Sequence, residues 1–177
     1  YHTKFDVDIA KRVPLDGMRK IAMKFLLDNI NAVDEVWVVT EGCGRALRDV
    51  GYRGSYHVME NGTDFAYGRA PQGEIDALRE KYGVREDEFV FLFVGRMMWY
   101  KNVRLILDAL KYLYGQGVPF RAFLVGDGFD APDIQAYAKG IGLEGPVTFT
   151  GAIYDREALR AYYSLADMFL FPSTYDT

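Results

Sequence analysis

The stretch Phe89–Val94, FVFLFV in one-letter code, decides the fold class of this chain. It is the longest apolar run in the sequence, and Gly95 follows it directly. Apolar residues at every position, rather than at alternate ones, are typical of a strand that is buried on both faces. Such strands occur mainly in parallel sheets that carry helices on both sides. The stretch therefore predicts an α/β fold.

Helices and strands alternate on the carboxyl side of this strand. The next helix places apolar residues on one face, at steps of three and four from Val103 to Leu110, and a strand at 120–125 follows it. The later predicted elements are a helix at 133–139, a strand at 147–150, a helix at 156–165 and a strand at 167–171. Strands joined in this way by right-handed crossovers predict a doubly wound parallel sheet from about residue 54 onward.

The preceding residues show a shorter α/β pattern. Apolar spacing predicts helices at 15–31, 41–50 and 72–82, of which the last two end at Gly51 and Gly83. Strands are predicted at 35–40 and 55–59.

The composition excludes several classes of protein. The 177 residues carry 25 acidic and 21 basic side chains, for a net charge of −4, and 50% are hydrophobic, which indicates a globular chain. An acidic balance disfavours nucleic acid as a partner, because binding a polyanion requires a basic face. The single Cys43 excludes an internal disulfide, and with only two histidines it disfavours a Cys/His zinc site. A lone cysteine also fits the reducing cytoplasm.

The length of the apolar runs and the two chain ends carry further expectations. No run approaches the roughly 20 apolar residues that span a bilayer. The chain opens without a methionine and stops at Thr177, directly after a predicted strand. We therefore expect a segment of a longer protein.

Candidate binding residues follow the predicted strands, at the edge where ligands bind in doubly wound sheets. Gly95 and Arg96 come directly after the first strand, and Lys101 opens the next helix. Two cations at a helix start could hold a diphosphate, because free N–H groups there also favour anions. The alternative is that both are solvated surface charges beside a plain turn.

Three further glycine-containing turns lie at strand ends. Gly126-Asp127-Gly128 follows the strand at 120–125, Gly151 follows the strand at 147–150, and Asn61-Gly62 follows the strand at 55–59. Each is also a common turn, and Asn-Gly is well suited to a hairpin. Their recurrence at consecutive strand ends is what favours a shared binding edge.

Two other patterns carry no prediction. Gly42-Cys43-Gly44 begins a dinucleotide-binding motif, but Leu47 occupies the position of its third glycine. Asp6-Val7-Asp8 matches the Asp-x-Asp of some metal-dependent sugar transferases, yet a match is expected by chance at this aspartate content. We therefore predict no metal site and no required cofactor.

Several motifs together resemble one enzyme family, glycosyltransferase family 4, also called glycosyl transferases group 1. They are VMENGTD at 58–64, FVGRMMWYKN at 93–102, LVGDG at 124–128, VTFTG at 147–151 and ADMFLFPS at 166–173. The resemblance implies the GT-B arrangement, which has two Rossmann-like domains. It also implies transfer from a nucleotide diphosphate sugar with retention of configuration and without a required metal. Residues 1–53 would then end the acceptor-side domain and cross between domains, and residues 54–177 would form an incomplete donor-side domain.

The resemblance also assigns roles to the candidate residues. Gly95, Arg96 and Lys101 match the loop whose positive pair holds the donor diphosphate, and Asn61 and Gly62 match a loop near the donor. The matches to the walls around the nucleoside are Gly126, Asp127, Gly128 and the segment from Gly151 to Tyr154.

Two residues near the chain ends match catalytic positions of the family. His2 resembles a cleft histidine that touches the transferred sugar. Asp176 matches the first acid of a Glu-x7-Glu motif, with Asp in place of Glu. The second acid would lie beyond Thr177, so we expect the segment alone to be inactive.

The function that we predict is therefore retaining transfer of a sugar, with a UDP-sugar as the expected donor. The expected acceptor is a lipid, a glycan or a small molecule, and the expected location is the cytoplasm, with contact to a membrane surface left open. The alternatives are a non-catalytic nucleotide-binding module and a sugar-nucleotide epimerase of related fold, since fold alone does not imply function.

Overall fold

A computed structural model describes Ile9, residues 13–63 and residues 65–173. The chain divides after Thr63 into two compact units. None of the helices in these ranges is long and apolar enough to span a membrane.

Within residues 13–63, the first unit contains two helices and a two-stranded parallel sheet. Its elements are α1 (Asp16–Asn31), β1 (Trp37–Val38), α2 (Glu41–Asp49) and β2 (His57–Val58). The side chain of Thr40 accepts a hydrogen bond of 3.1 Å from the backbone N–H of Cys43 and so caps the start of α2. The small core of this unit consists of the buried residues Val36, Val38, Cys43, Leu47 and Tyr52.

The domain boundary predicted between residues 53 and 54 stays a prediction, and the structure adds one observation about the strand that follows it. The strand that we expected to open the second domain, β2, pairs in parallel with β1, with Trp37 opposite His57 and Val38 opposite Val58. Backbone hydrogen bonds therefore place this strand in the first unit, and the division lies after Thr63.

The second unit is a four-stranded parallel sheet flanked by helices. Its elements are α3 (Gln72–Tyr82), β3 (Phe89–Val94), a 3₁₀ turn (Trp99–Lys101), α4 (Val103–Gly115), β4 (Phe120–Val125), α5 (Ala131–Gly140), β5 (Val147–Gly151), α6 (Arg156–Leu165) and β6 (Met168–Phe169). The doubly wound parallel sheet is confirmed. The last strand is shorter than predicted, since only Met168 and Phe169 pair with β3.

Side chains of β3 alternate between two cores, one on each face of the sheet. Phe93 packs with residues of α4 and α5, whereas Leu92 packs in a cluster that includes residues of α3 and α6. This double burial explains why β3 is apolar at consecutive positions.

The strand order in this sheet is β5-β4-β3-β6. The chain moves outward from β3 to β5 and then returns to place β6 on the other side of β3. Strand order therefore reverses between β3 and β6. In open parallel sheets the crevice at the carboxyl ends of such a pair is where ligands bind.

We expect Leu92→Ala to lower the free energy of unfolding of the second unit by about 2–5 kcal/mol, because Leu92 is fully buried in β3 and its loss leaves a cavity. Urea denaturation in a Trp37→Phe background, followed by the fluorescence of Trp99 as the sole tryptophan, measures this change. Leu105→Ala is the matched control, since Leu105 is 58% exposed, and its effect should stay within about 0.5 kcal/mol. Equal losses in the two variants would contradict the double burial of β3.

Candidate active site

Two cations lie at the carboxyl end of β3, on the loop that leads into α4. Arg96 is exposed, whereas Lys101 is only 8% exposed. The guanidinium carbon of Arg96 lies 5.9 Å from the centre of the Tyr100 ring, and Nζ of Lys101 lies 5.4 Å from the same point. Nζ of Lys101 is also 5.6 Å from the Phe171 ring, which follows β6. The predicted pair is thus brought together around one aromatic ring.

The loop after β4 lies directly against this loop. The backbone N–H of Gly95 donates to the carbonyl of Val125 at 3.0 Å, and that of Met97 donates to the carbonyl of Asp127 at 3.0 Å. The two glycines of the second loop permit this contact. A Cβ on Gly126 would stand 1.9 Å from the carbonyl oxygen of Gly95, and one on Gly128 would stand 2.6 Å from that of Met97.

This contact supplies a packing reason for Gly126 and Gly128. The sequence predicts both as part of a turn at the binding edge, which the family resemblance assigns to the wall around the nucleoside. In the structure, the backbone of the neighbouring loop occupies the space that a side chain would need. Their place beside a nucleoside stays a prediction.

The loop after β5 continues the same edge. The backbone N–H of Gly126 donates to the carbonyl of Gly151 at 2.9 Å. The pairing of β4 with β5 shifts by one residue here, since Val125 lies opposite Gly151 although Leu124 lies opposite Phe149. Gly151 has a φ of +74°, in the left-handed region that favours glycine.

Two exposed aromatic side chains stand on these loops. Phe129, between β4 and α5, and Tyr154, between β5 and α6, are each 89% exposed. The sequence analysis predicts Tyr154 as part of the wall around the nucleoside, whereas it assigns no role to Phe129.

The fourth loop, after β6, is joined to the first one by a side chain. Nδ2 of Asn102 donates to the backbone carbonyl of Pro172 at 2.8 Å. The four loops, residues 95–102, 126–130, 151–154 and 170–173, are therefore linked in series by hydrogen bonds. We call them the strand-end ledge.

Two residues of the ledge were missed by sequence reasoning, Asp130 and Asn102. Oδ2 of Asp130 accepts a hydrogen bond of 2.9 Å from the backbone N–H of Trp99, which fixes the 3₁₀ turn that ends at Lys101. The available signal for Asn102 was its type, because asparagine tolerates left-handed backbone at the start of a helix. For Asp130 we find no comparable signal.

Two other predicted site residues, Asn61 and Gly62, are not part of the ledge. Asn61 and Gly62 are exposed after β2 and belong to the first unit. His2 and Asp176 lie outside the described residues, as do Asp6 and Asp8. In the described ranges, no group of three or more His, Cys, Asp or Glu side chains is placed to hold a metal ion.

The ledge combines positive charge with a helix amino terminus. Helix α4 begins at Val103, so its unpaired N–H groups follow Lys101 and Asn102 directly. Cations and backbone donors at such a position favour an anionic ligand.

Comparison with known proteins identifies the family. The sequence model described as "Glycosyl transferases group 1" matches residues 74–177, a range that contains the whole ledge. The chain belongs to this family. Its membership agrees with the resemblance of the motifs on the ledge.

Individual relatives agree with this membership. Alpha-monoglucosyldiacylglycerol synthase from Streptococcus pneumoniae is 26% identical over 100% of this chain and 41% of that protein. D-rhamnosyltransferase WbpZ from Pseudomonas aeruginosa is 32% identical over 98% of this chain and 41% of that protein. This group 1 chain thus spans about two fifths of the length of these relatives.

The fold is shared with glycosyltransferases of known structure. HepE from Anabaena, solved in complex with UDP-glucose, matches 90% of this chain and 43% of its own, with a TM-score of 0.75 and 22% identity. The predicted Rossmann-like α/β fold of the GT-B class is confirmed by this similarity.

We expect Gly126→Ala to destabilise the second unit by about 1–3 kcal/mol or more, because the added Cβ overlaps the carbonyl of Gly95 and φ at Gly126 is +134°. Urea denaturation measures the loss. Gly140→Ala in α5 is the control, since nothing lies within 4 Å of its Cβ position, and there alanine should be neutral or stabilising by up to about 1 kcal/mol. A Gly126→Ala variant as stable as the parent would show that the two loops are not in backbone contact.

Proposed function

We propose that this chain forms the donor-binding part of a retaining glycosyltransferase that uses a nucleotide diphosphate sugar. The observation that carries the proposal is the pair Arg96 and Lys101, placed around one aromatic ring at the carboxyl end of β3 in a chain of this family. The reversal of strand order beside β3 supports the proposal, because sheets of this kind bind ligands in the crevice at such a reversal.

In the proposed reaction the two cations stabilise the leaving group. The bond between the sugar and the diphosphate breaks during transfer, and negative charge grows on the diphosphate oxygens. Arg96 can donate two parallel N–H bonds to phosphate oxygens, whereas Lys101 supplies a compact charge. Because Lys101 is nearly buried, its interaction with an anion is weakened less by water than that of a surface lysine. Charge fixed in place before the reaction lowers its barrier.

The same cations can take the place of a metal ion. A divalent metal in a transferase neutralises the diphosphate, and two protein cations serve the same purpose. We therefore propose transfer without a required metal.

A UDP-sugar is the donor that we propose. HepE was solved with UDP-glucose, and TarM from S. aureus was solved with UDP. The loops after β4 and β5 carry the residues that we assign to the nucleoside: Gly126, Asp127, Gly128 and Gly151 to Tyr154. Asn61 and Gly62 match a loop near the donor in this family, and we propose a donor-binding role for them as well.

The acceptor that we propose is a lipid or a carbohydrate. The names of relatives point to both, since one is a monoglucosyldiacylglycerol synthase and another a D-rhamnosyltransferase. A lipid acceptor would bring the protein to the cytoplasmic surface of a membrane.

Removal of either cation should weaken nucleotide binding. Charge-assisted hydrogen bonds are worth roughly 1.5–3 kcal/mol, so Arg96→Ala or Lys101→Ala should raise the Kd for UDP by about ten- to a hundredfold. Isothermal titration calorimetry on this chain measures the effect. Lys111→Ala removes the same charge from the exposed face of α4 and should leave Kd unchanged. Unchanged affinity in both ledge variants would refute the assignment.

The predicted role of Asp176 separates catalysis from binding. If its carboxylate accepts hydrogen bonds from the donor sugar, Asp176→Asn in the protein at its natural full length should lower kcat/KM by at least about a hundredfold, with little change in UDP affinity. Asp34→Asn, on an exposed turn, is the control. Transfer of radiolabelled sugar from UDP-glucose and other UDP-sugars to lipid or glycan acceptors provides the assay. A wild-type rate in Asp176→Asn would show that this residue has no role in the site. If the parent protein binds the nucleotide but catalyses neither transfer nor epimerisation, the binding-module alternative is favoured.

A further inference from the structure

We propose that Asn102 is a positioning residue, which holds Lys101 in place by tying the loop after β3 to the segment after β6. The inference rests on the proposed function, because it concerns the geometry of the diphosphate pair. It assigns Asn102 no contact with the donor.

The backbone conformation of Asn102 is the first observation. Among the residues that the structure describes, it is the only non-glycine residue with a positive φ, 55°. It ends the 3₁₀ turn that contains Lys101 and directly precedes α4. The left-handed conformation alone would be met best by glycine, which adopts it without steric cost.

The side chain is the second, independent observation. Nδ2 of Asn102 donates to the carbonyl of Pro172 at 2.8 Å, across 70 positions of sequence. Asparagine is the residue that tolerates the left-handed backbone and also supplies an amide donor at this reach. A glycine at this position would preserve the turn but lose the hydrogen bond to Pro172. Asparagine provides both.

The tether and Lys101 meet the same segment. Nζ of Lys101 lies 5.6 Å from the ring of Phe171, and Phe171 directly precedes Pro172, which accepts the bond from Asn102. Lys101 and Asn102 thus contact two successive residues of the segment after β6. The contacts join the loops that follow β3 and β6, the two strands between which strand order reverses. This double contact restricts where the ammonium group can lie.

The energetic consequence concerns order rather than charge. If the tether is lost, Lys101 keeps its charge but samples more positions, and binding a diphosphate must then order the loop. The loss should therefore appear as weaker nucleotide binding that depends on the presence of Lys101.

The test compares Asn102→Gly with Asn102→Ala. Asn102→Gly keeps the left-handed turn and removes the tether, so the chain should retain its melting temperature while the Kd for UDP rises about three- to tenfold. Asn102→Ala removes the tether and also strains the turn, so Kd should rise as much and the melting temperature should fall. UDP affinity that is lost in Asn102→Ala but kept in Asn102→Gly would overturn the inference, because only the backbone conformation would then matter.

A double-mutant cycle tests whether Asn102 acts through Lys101. In a Lys101→Ala background, Asn102→Gly should change the Kd for UDP by less than about twofold. Fully additive effects would overturn the inference. If Lys101→Ala alone leaves Kd unchanged, this inference fails, and the proposed function fails with it only if Arg96→Ala leaves Kd unchanged as well. A Lys101→Ala effect without an Asn102→Gly effect overturns the inference and spares the proposed function.

Trp99 offers a readout of the tether without any nucleotide. It lies in the same 3₁₀ turn and packs edge to face on Tyr137, with ring centres 6.2 Å apart. In a Trp37→Phe background, where Trp99 is the sole tryptophan, Asn102→Gly should raise quenching of its fluorescence by acrylamide, because the released loop opens more often. Unchanged quenching would show that the hydrogen bond to Pro172 does not restrain the loop.

Discussion

The parallel register between β3 and β4 is the constraint on which the ledge depends. Six residue pairs, from Phe89 opposite Phe120 to Val94 opposite Val125, bring the two strands to the same edge at the same point. The loops that follow the two strands therefore run side by side, and their backbones touch at Gly95 and Gly126. No side chain fits in that contact, so the register determines both where the loops lie and which residue type they must contain.

The ledge illustrates how a sheet can present fixed charge from loops. Loops normally move more than the strands they join. Here each loop is bonded to the next, through Gly151 and Gly126, Asp127 and Met97, and finally the side chain of Asn102. If the ledge binds the donor as we propose, these bonds hold its backbone donors in place before the ligand arrives, which is a condition for effective electrostatic stabilisation.

Sequence reasoning recovered the second unit well because burial on both faces leaves an apolar signature, as at Phe89–Val94. It could not predict the pairing of β2 with β1, since both residues of β2 are exposed and no apolar pattern indicates the sheet that they join. It also found the ledge glycines but did not predict what fills the space beside Gly126. That answer depends on which backbone passes nearby, and only the three-dimensional arrangement reveals it. Asn102 was overlooked for the same reason, because its partner carbonyl at Pro172 is distant in sequence.

The contact between Gly95 and Gly126 also limits how such a site can diversify. Its main-chain course is sterically locked, so evolution or protein engineering has little freedom at those glycines. Substitutions cost the least folding stability at side chains that project away from this contact and do not pack against neighbouring residues. Phe129 and Tyr154, each 89% exposed on the same edge, meet that requirement. Saturation libraries aimed at altered substrate preference would therefore retain most folded members if they randomised these two positions and left the glycines intact.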